Sequence, residues 1–163
     1  YDSLPLVREL ANVLLLRTMS KGYSLAGLRF GYGLGTPDLI APMLYKTRDS
    51  YNTDLIAQRL ATAALTDQDY ARSTWEKVRT SRARLIEELA KLGLDALPSQ
   101  TNFLLCRVPE QPGAARLYLS LKERGVLVRY FDSPGLQDKL RISIGSAEEN
   151  QVLLDAINDS LGR

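Results

Sequence analysis

Thr18-Met19-Ser20-Lys21-Gly22-Tyr23-Ser24-Leu25-Ala26-Gly27-Leu28-Arg29 decides how this chain is read. It lies between two strand-like runs. Before it, residues 12–18 (Asn-Val-Leu-Leu-Leu-Arg-Thr) form a continuous apolar run, which predicts a strand buried on both faces. After it, residues 28–34 (Leu-Arg-Phe-Gly-Tyr-Gly-Leu) alternate bulky and small residues, as in a strand closely approached by other backbone. A strand therefore runs out into hydroxyls and a lysine, turns through glycine, and meets an arginine eight positions beyond the lysine. Such a set can assemble an anion clamp. Ser and Thr hydroxyls donate hydrogen bonds, Arg29 can grip two oxygens in a fork, and glycine lets backbone come close. Lys21 beside that clamp is placed to act as an amine nucleophile. A Ser-Lys dipeptide alone predicts only a solvated loop; it is the twelve residues together that point to chemistry.

Composition narrows the chemistry further. The 163 residues, 45% hydrophobic and 25% charged, match an ordinary globular domain. Lys+Arg 21 against Asp+Glu 19 is too even for a nucleic-acid or anionic-membrane footprint. There is no histidine, which removes Ser-His-Asp and Cys-His catalysis and His-ligated zinc from within this chain. The single cysteine, Cys106, allows no internal disulfide. No apolar run approaches the ~20 residues of a bilayer span, and one unpaired cysteine favours a reducing, cytoplasmic setting. The first residue is Tyr1 and not methionine, so a fragment of a longer polypeptide is expected.

Outward from the lysine segment, Thr36-Pro37 predicts a helix start and Pro42 its early end. A second helix is predicted over 53–65, and a long one over about 67–92, with Ala71, Trp75, Val78, Leu85, Leu89 and Leu92 on one face. Gly93 supplies its stop. Arg84 with Glu88 and Glu87 with Lys91 are four-residue pairs on its exposed side. Beyond it, strands are predicted over 101–108, 126–130 and 139–144, with a helix over 114–124 closed by Gly125. A last helix opens on the capping box Ser146-Ala147-Glu148-Glu149. The organisation is thus α/β: residues 1–66 as part of a sheet domain, 67–93 as a bridging helix, and 94–163 as a small α+β domain. Trp75 and Val78 read as core or interface, Cys106 as a small buried residue, and Arg79, Arg82 and Arg84 as a solvated helix face.

A Schiff-base-forming lysine beside a phosphate anchor is the requirement for holding pyridoxal 5'-phosphate. The stretch Arg17-Thr18-Met19-Ser20-Lys21-Gly22-Tyr23-Ser24-Leu25-Ala26-Gly27-Leu28-Arg29-Phe30-Gly31-Tyr32-Gly33 resembles the cofactor-lysine motif of the fold-type I pyridoxal-phosphate enzymes, most of all the histidinol-phosphate aminotransferases. Residues 51–58 (Tyr-Asn-Thr-Asp-Leu-Ile-Ala-Gln), Thr101-Asn102-Phe103 and Leu140-Arg141-Ile142-Ser143-Ile144-Gly145 resemble later landmarks of the same family, in order. The resemblance implies the C-terminal portion of a fold-type I transferase: part of the large mixed-sheet domain, the bridging helix and the small domain. It implies that Lys21 bonds the cofactor and moves a proton at the substrate's alpha carbon, and that Thr18, Ser20 and Arg29 bind the cofactor phosphate. It implies that Arg141 and Arg129 grip the substrate's anionic groups. Without the resemblance, Arg141 reads as a solvent-facing strand arginine. Asn102 and Tyr51 fit family patterns, and strand capping or packing explains them equally well.

The expected reaction is amino transfer between a phosphorylated amine, histidinol phosphate, and 2-oxoglutarate or glutamate, in histidine biosynthesis. A homodimer is expected, with no nucleic-acid or membrane partner and no metal. Threonine-phosphate decarboxylases share the lysine motif, and an aromatic aminotransferase or a non-catalytic truncated module are the further alternatives. The family's aspartate for the pyridine nitrogen, its stacking aromatic residue and its glycine-rich phosphate turn would all lie before Tyr1. This polypeptide alone is therefore expected to form no competent cofactor site.

Overall fold

The computed structural model describes residues 2–162. The chain divides into two compact units with the boundary between Thr74 and Trp75. That boundary falls inside the long helix α4 (Gln68–Lys91).

The first unit contains α1 (Leu4–Glu9), the strands β1 (Leu15–Thr18) and β2 (Gly31–Leu34), α2 (Pro37–Pro42) and α3 (Leu55–Thr66). α1, at six residues, is too short for its periodicity to show in the sequence. β1 and β2 pair antiparallel, with Leu15 opposite Leu34 and Thr18 opposite Gly31. Gly31 is required there, because a Cβ would lie 2.7 Å from the Arg17 carbonyl oxygen. The apolar run before the lysine segment predicts burial on both faces, yet Leu16 is 73% exposed. A two-stranded ribbon cannot cover both of its own faces. Among the described residues, the buried apolar side chains of this unit are Met19, Ala57, Ala61 and Ala71.

α2 begins as expected, with Thr36 at the N-cap and proline in its first turn, but the Thr36 hydroxyl donates to the Ala11 carbonyl (3.3 Å) and caps nothing. At Pro42, which lacks an N–H, the α-helix gives way to one wider turn over Met43–Thr47. α3 starts two residues later than its apolar pattern suggests. Asp54 supplies its cap, accepting from the Ala57 N–H at 2.7 Å.

The second unit is a four-stranded antiparallel sheet in the order β3-β4-β6-β5, formed by β3 (Asp95–Ala96), β4 (Phe103–Arg107), β5 (Arg129–Tyr130) and β6 (Lys139–Ser143), with α5 (Ala114–Glu123) and α6 (Ala147–Ser160). Strand alternation sorts the two faces. Leu104, Cys106, Leu140 and Ile142 point into the core, where Leu117 and Ile157 of the helices meet them. Phe103, Leu105, Arg129, Arg141 and Ser143 take the other face.

Both glycine stops act as read. Gly93 (φ +86°) and Gly125 (φ +78°) end α4 and α5 in the same motif: the next residue's N–H returns to the helix, Leu94 to the Leu89 carbonyl and Val126 to the Leu121 carbonyl, each at 2.9 Å. The second of these explains a shortfall. A strand is predicted over 126–130, but Val126 is tied back to α5 and only Arg129–Tyr130 reaches β6.

The capping box at α6 is present in full: Ser146 Oγ accepts from the Glu149 N–H (3.2 Å) and Glu149 Oε2 accepts from the Ser146 N–H (2.8 Å). Ser146→Ala should lower unfolding stability by about 1 kcal/mol, read from the denaturation midpoint. On α4, Lys91 donates to Glu88 three residues back, and Arg79 pairs with Glu76. Arg82 departs from the solvated-face reading, since its Nη1 donates to the Thr101 carbonyl at 2.7 Å and so pins the loop before β4.

Cys106 is fully buried, and burial pushes its thiol up to about 12 from an ordinary 9.0. So raised and so buried, the thiol offers almost no reactive thiolate at pH 8. Maleimide-free alkylation with iodoacetamide should therefore leave native Cys106 unlabelled while denatured protein reacts fully.

Candidate active site

The lysine segment is the connection between β1 and β2, closed at its base by backbone. The Met19 N–H donates to the Phe30 carbonyl (3.1 Å), and the Leu25 N–H donates to the Met19 carbonyl (3.0 Å). Met19 is fully buried and anchors the loop. Ser20 and Arg29 are the first residues beyond the Met19–Phe30 bond on either side, and Thr18 stands opposite Gly31 just below it. The fold thus gathers Thr18, Ser20, Lys21 and Arg29 at one end of the ribbon.

Local bonds fix each of them. The Ser20 N–H donates to Thr18 Oγ1 (3.1 Å), and the Ser24 N–H to the Lys21 carbonyl (3.0 Å). Residues Ala26–Leu28 form a 3-10 turn that ends on Arg29 in the left-handed region (φ 54°), where its Nη1 donates to the Ala26 carbonyl at 2.8 Å. Ser24 is left-handed too (φ 57°). Two non-glycine residues in that region cost of order 1–2 kcal/mol each, so this loop's path is held against a local preference. Lys21 itself is exposed.

What backs the loop is not legible from residue spacing. At the first turn of α4, Gln68 Nε2 lies 3.3 Å from the Tyr23 hydroxyl and donates to the Leu65 carbonyl at 2.7 Å. A cavity of about 290 Å³, lined in part by Tyr23, Ser24, Ala64 and Tyr70, separates loop from helices. A contact 45 residues apart in sequence has no periodic signature.

The second group stands on the open face of the four-stranded sheet. Arg129 and Arg141 are directly opposite each other in the β5–β6 register. Arg141 has an aromatic ring on either diagonal: its guanidinium carbon lies 5.4 Å from the Phe103 ring centre and 5.9 Å from that of Phe131. Arg129 lies 5.3 Å from the same Phe131 ring. Elsewhere on this unit Arg107 pairs with Asp138 and Asp95, and Lys139 with Asp138. Lys139 and then Arg107 hold the Asp138 carboxyl below its ordinary value. Among the described residues, no acidic side chain pairs with Arg129 or Arg141.

Of the residues left open by sequence, the Asn102 carbonyl accepts from the Ile144 N–H (2.9 Å), a continuation of the β4–β6 ladder. Tyr51 is 94% exposed on this chain. The aromatic flanks carry no signal in the sequence, since Phe131 lies one residue past the end of β5 and only the folded contacts bring its ring to the two arginines.

Residues 1–157 match the sequence profile described as aminotransferase class I and II. The chain belongs to this family. Among similar proteins, a histidinol-phosphate aminotransferase of Nostoc sp. is 52% identical over 98% of the chain and 45% of its own length. The crystal structure of histidinol-phosphate aminotransferase from Sinorhizobium meliloti, in complex with pyridoxal-5'-phosphate, superposes with a TM-score of 0.84 and 34% identity, over 93% of the chain and 42% of that structure. The enzyme from Clostridium acetobutylicum gives a TM-score of 0.90 and 26% identity, over 99% and 49%. The aminotransferase chain therefore has the mixed α/β architecture of part of a fold-type I enzyme. It spans about half the length of the relatives it matches.

Proposed function

We propose that this chain is the lysine- and arginine-bearing part of a histidinol-phosphate transaminase, exchanging an amino group between histidinol phosphate and 2-oxoglutarate or glutamate. The observation that carries the substrate class is the Arg129–Arg141 pair, two arginines directly opposite in the β5–β6 register with, among the described residues, no acidic side chain paired to either. Such a pair suits an anion of double charge, and Arg forks suit phosphate and carboxylate alike. The similarity to histidinol-phosphate aminotransferases over 98% of the chain supports the same substrate.

The donor set of the lysine loop fits pyridoxal phosphate: one primary amine, two hydroxyls, and a guanidinium with one N–H spent on its own turn. Thr18, Ser20 and Arg29 would hold the phosphate, and Lys21 the aldehyde carbon. When bound, the cofactor supplies an electron-withdrawing ring that stabilises negative charge at the substrate's alpha carbon. Lys21 Nζ takes the proton from that carbon and returns one on the other side of the exchange, acting in turn as base and acid.

The division into 1–66, 67–93 and 94–163 belongs to this reading, as do a homodimer and a cytoplasmic setting. Exposed Leu55 and Ile56 on α3 support burial against further protein. Among the described residues, no helix is long and apolar enough to cross a membrane.

The test is an assay of the full-length protein with histidinol phosphate and 2-oxoglutarate. Glutamate released one for one with substrate consumed supports the proposal. Carbon dioxide from threonine phosphate, with no glutamate formed, would replace it with a decarboxylase.

A further inference from the structure

We infer that Phe131 is a positioning residue, an uncharged counter-surface that holds Arg129 and Arg141 together so that both can face one anion. The inference rests on the reading of these arginines as substrate-binding. Like charges directly opposite each other on adjacent strands repel, and here they are two guanidiniums in register. Something must offset that repulsion.

The sheet offers a comparison within itself. Arg107 and Lys139 are also cross-strand neighbours, paired across β4 and β6. There the offset is Asp138, which pairs with both. A carboxylate in that position consumes N–H donors and cancels positive charge, so those two cations are spent. At Arg129 and Arg141 the shared neighbour is the Phe131 ring, 5.3 Å from one guanidinium and 5.9 Å from the other. The face of an aromatic ring attracts a cation through its quadrupole but accepts no strong hydrogen bond. The pair is steadied, while its N–H forks and its double charge stay available.

Position makes Phe131 the residue able to do this. It follows directly on the end of β5, and its ring lies within reach of both guanidiniums. Phe103 flanks Arg141 alone. Phe131 touches both.

The test uses the full-length protein and Phe131→Leu, which keeps bulk and removes the ring, beside Phe131→Tyr, which keeps the ring. Phe131→Met serves if the leucine variant fails to fold. Phe131→Leu should raise KM for the phosphorylated amine about tenfold, and the inhibition constant of inorganic phosphate equally, with kcat within about twofold of wild type. Phe131→Tyr should restore both. A merely structural role would lower the thermal midpoint and the active fraction while leaving KM in place. Arg129→Ala is measured in parallel. If it raises KM while Phe131→Leu and Phe131→Met do not, the inference about Phe131 is overturned and the arginine reading stands. If Arg129→Ala also leaves KM unchanged, the arginine reading itself is wrong and the inference falls with it.

Discussion

Lys21→Ala in the full-length protein should reduce amino transfer by about 10⁴-fold or more, because one side chain supplies both the covalent anchor and the proton shuttle. The loss should be chemical and not structural. Lys21 is exposed, and the contact it makes to hold the loop is through its carbonyl, which accepts from the Ser24 N–H and survives substitution. The thermal midpoint should therefore stay within a few degrees of wild type while turnover disappears. Lys21→Arg should be equally inactive, since guanidinium stays protonated and cannot serve as nucleophile or base. Steady-state assay beside a melting curve separates these effects.

Arg141→Ala should cost about 100-fold in kcat/KM for the phosphorylated substrate, carried mainly by KM. Truncating one member of a charge-assisted pair costs of order 2–5 kcal/mol, which brackets that factor. The fold should again be indifferent, because β6 is held by backbone pairing to β4 and β5 and by Leu140 and Ile142 beneath it. Arg141→Lys should fall between, keeping charge and losing the fork. An unchanged KM in Arg141→Ala would return this residue to the plain reading of a solvent-facing strand arginine.

The sequence made the second unit legible because its signals are local. Gly93 and Gly125 mark helix ends that only a left-handed residue completes, and Ser146 to Glu149 spells out a capping box. Alternation along 103–107 and 139–143 separates core from open face. The first unit was less legible because its strands form only a two-stranded ribbon: the run over 12–18 reads as buried on both faces, and Leu16 lies open. Short elements escaped too. β3 has two residues, one an aspartate, and a two-residue strand has no period to detect.

The candidate site divides the same way. Thr18, Ser20, Lys21 and Arg29 are close in sequence, so one motif exposes them all. Arg129 and Arg141 are twelve apart, and only the register of β5 on β6 sets them face to face. Tyr23 with Gln68 and Phe131 with Arg141 are tertiary contacts, and neither residue type nor spacing announces them.

The central claim is that Lys21 is the cofactor-bearing lysine. The direct measurement is borohydride reduction of the full-length protein with pyridoxal phosphate, followed by peptide mapping. This chain contains six lysines, so the outcome discriminates. The account predicts the pyridoxyl mass on the peptide carrying Lys21 and on no other. Stoichiometric label on a different lysine, with the Lys21 peptide unmodified, would contradict it.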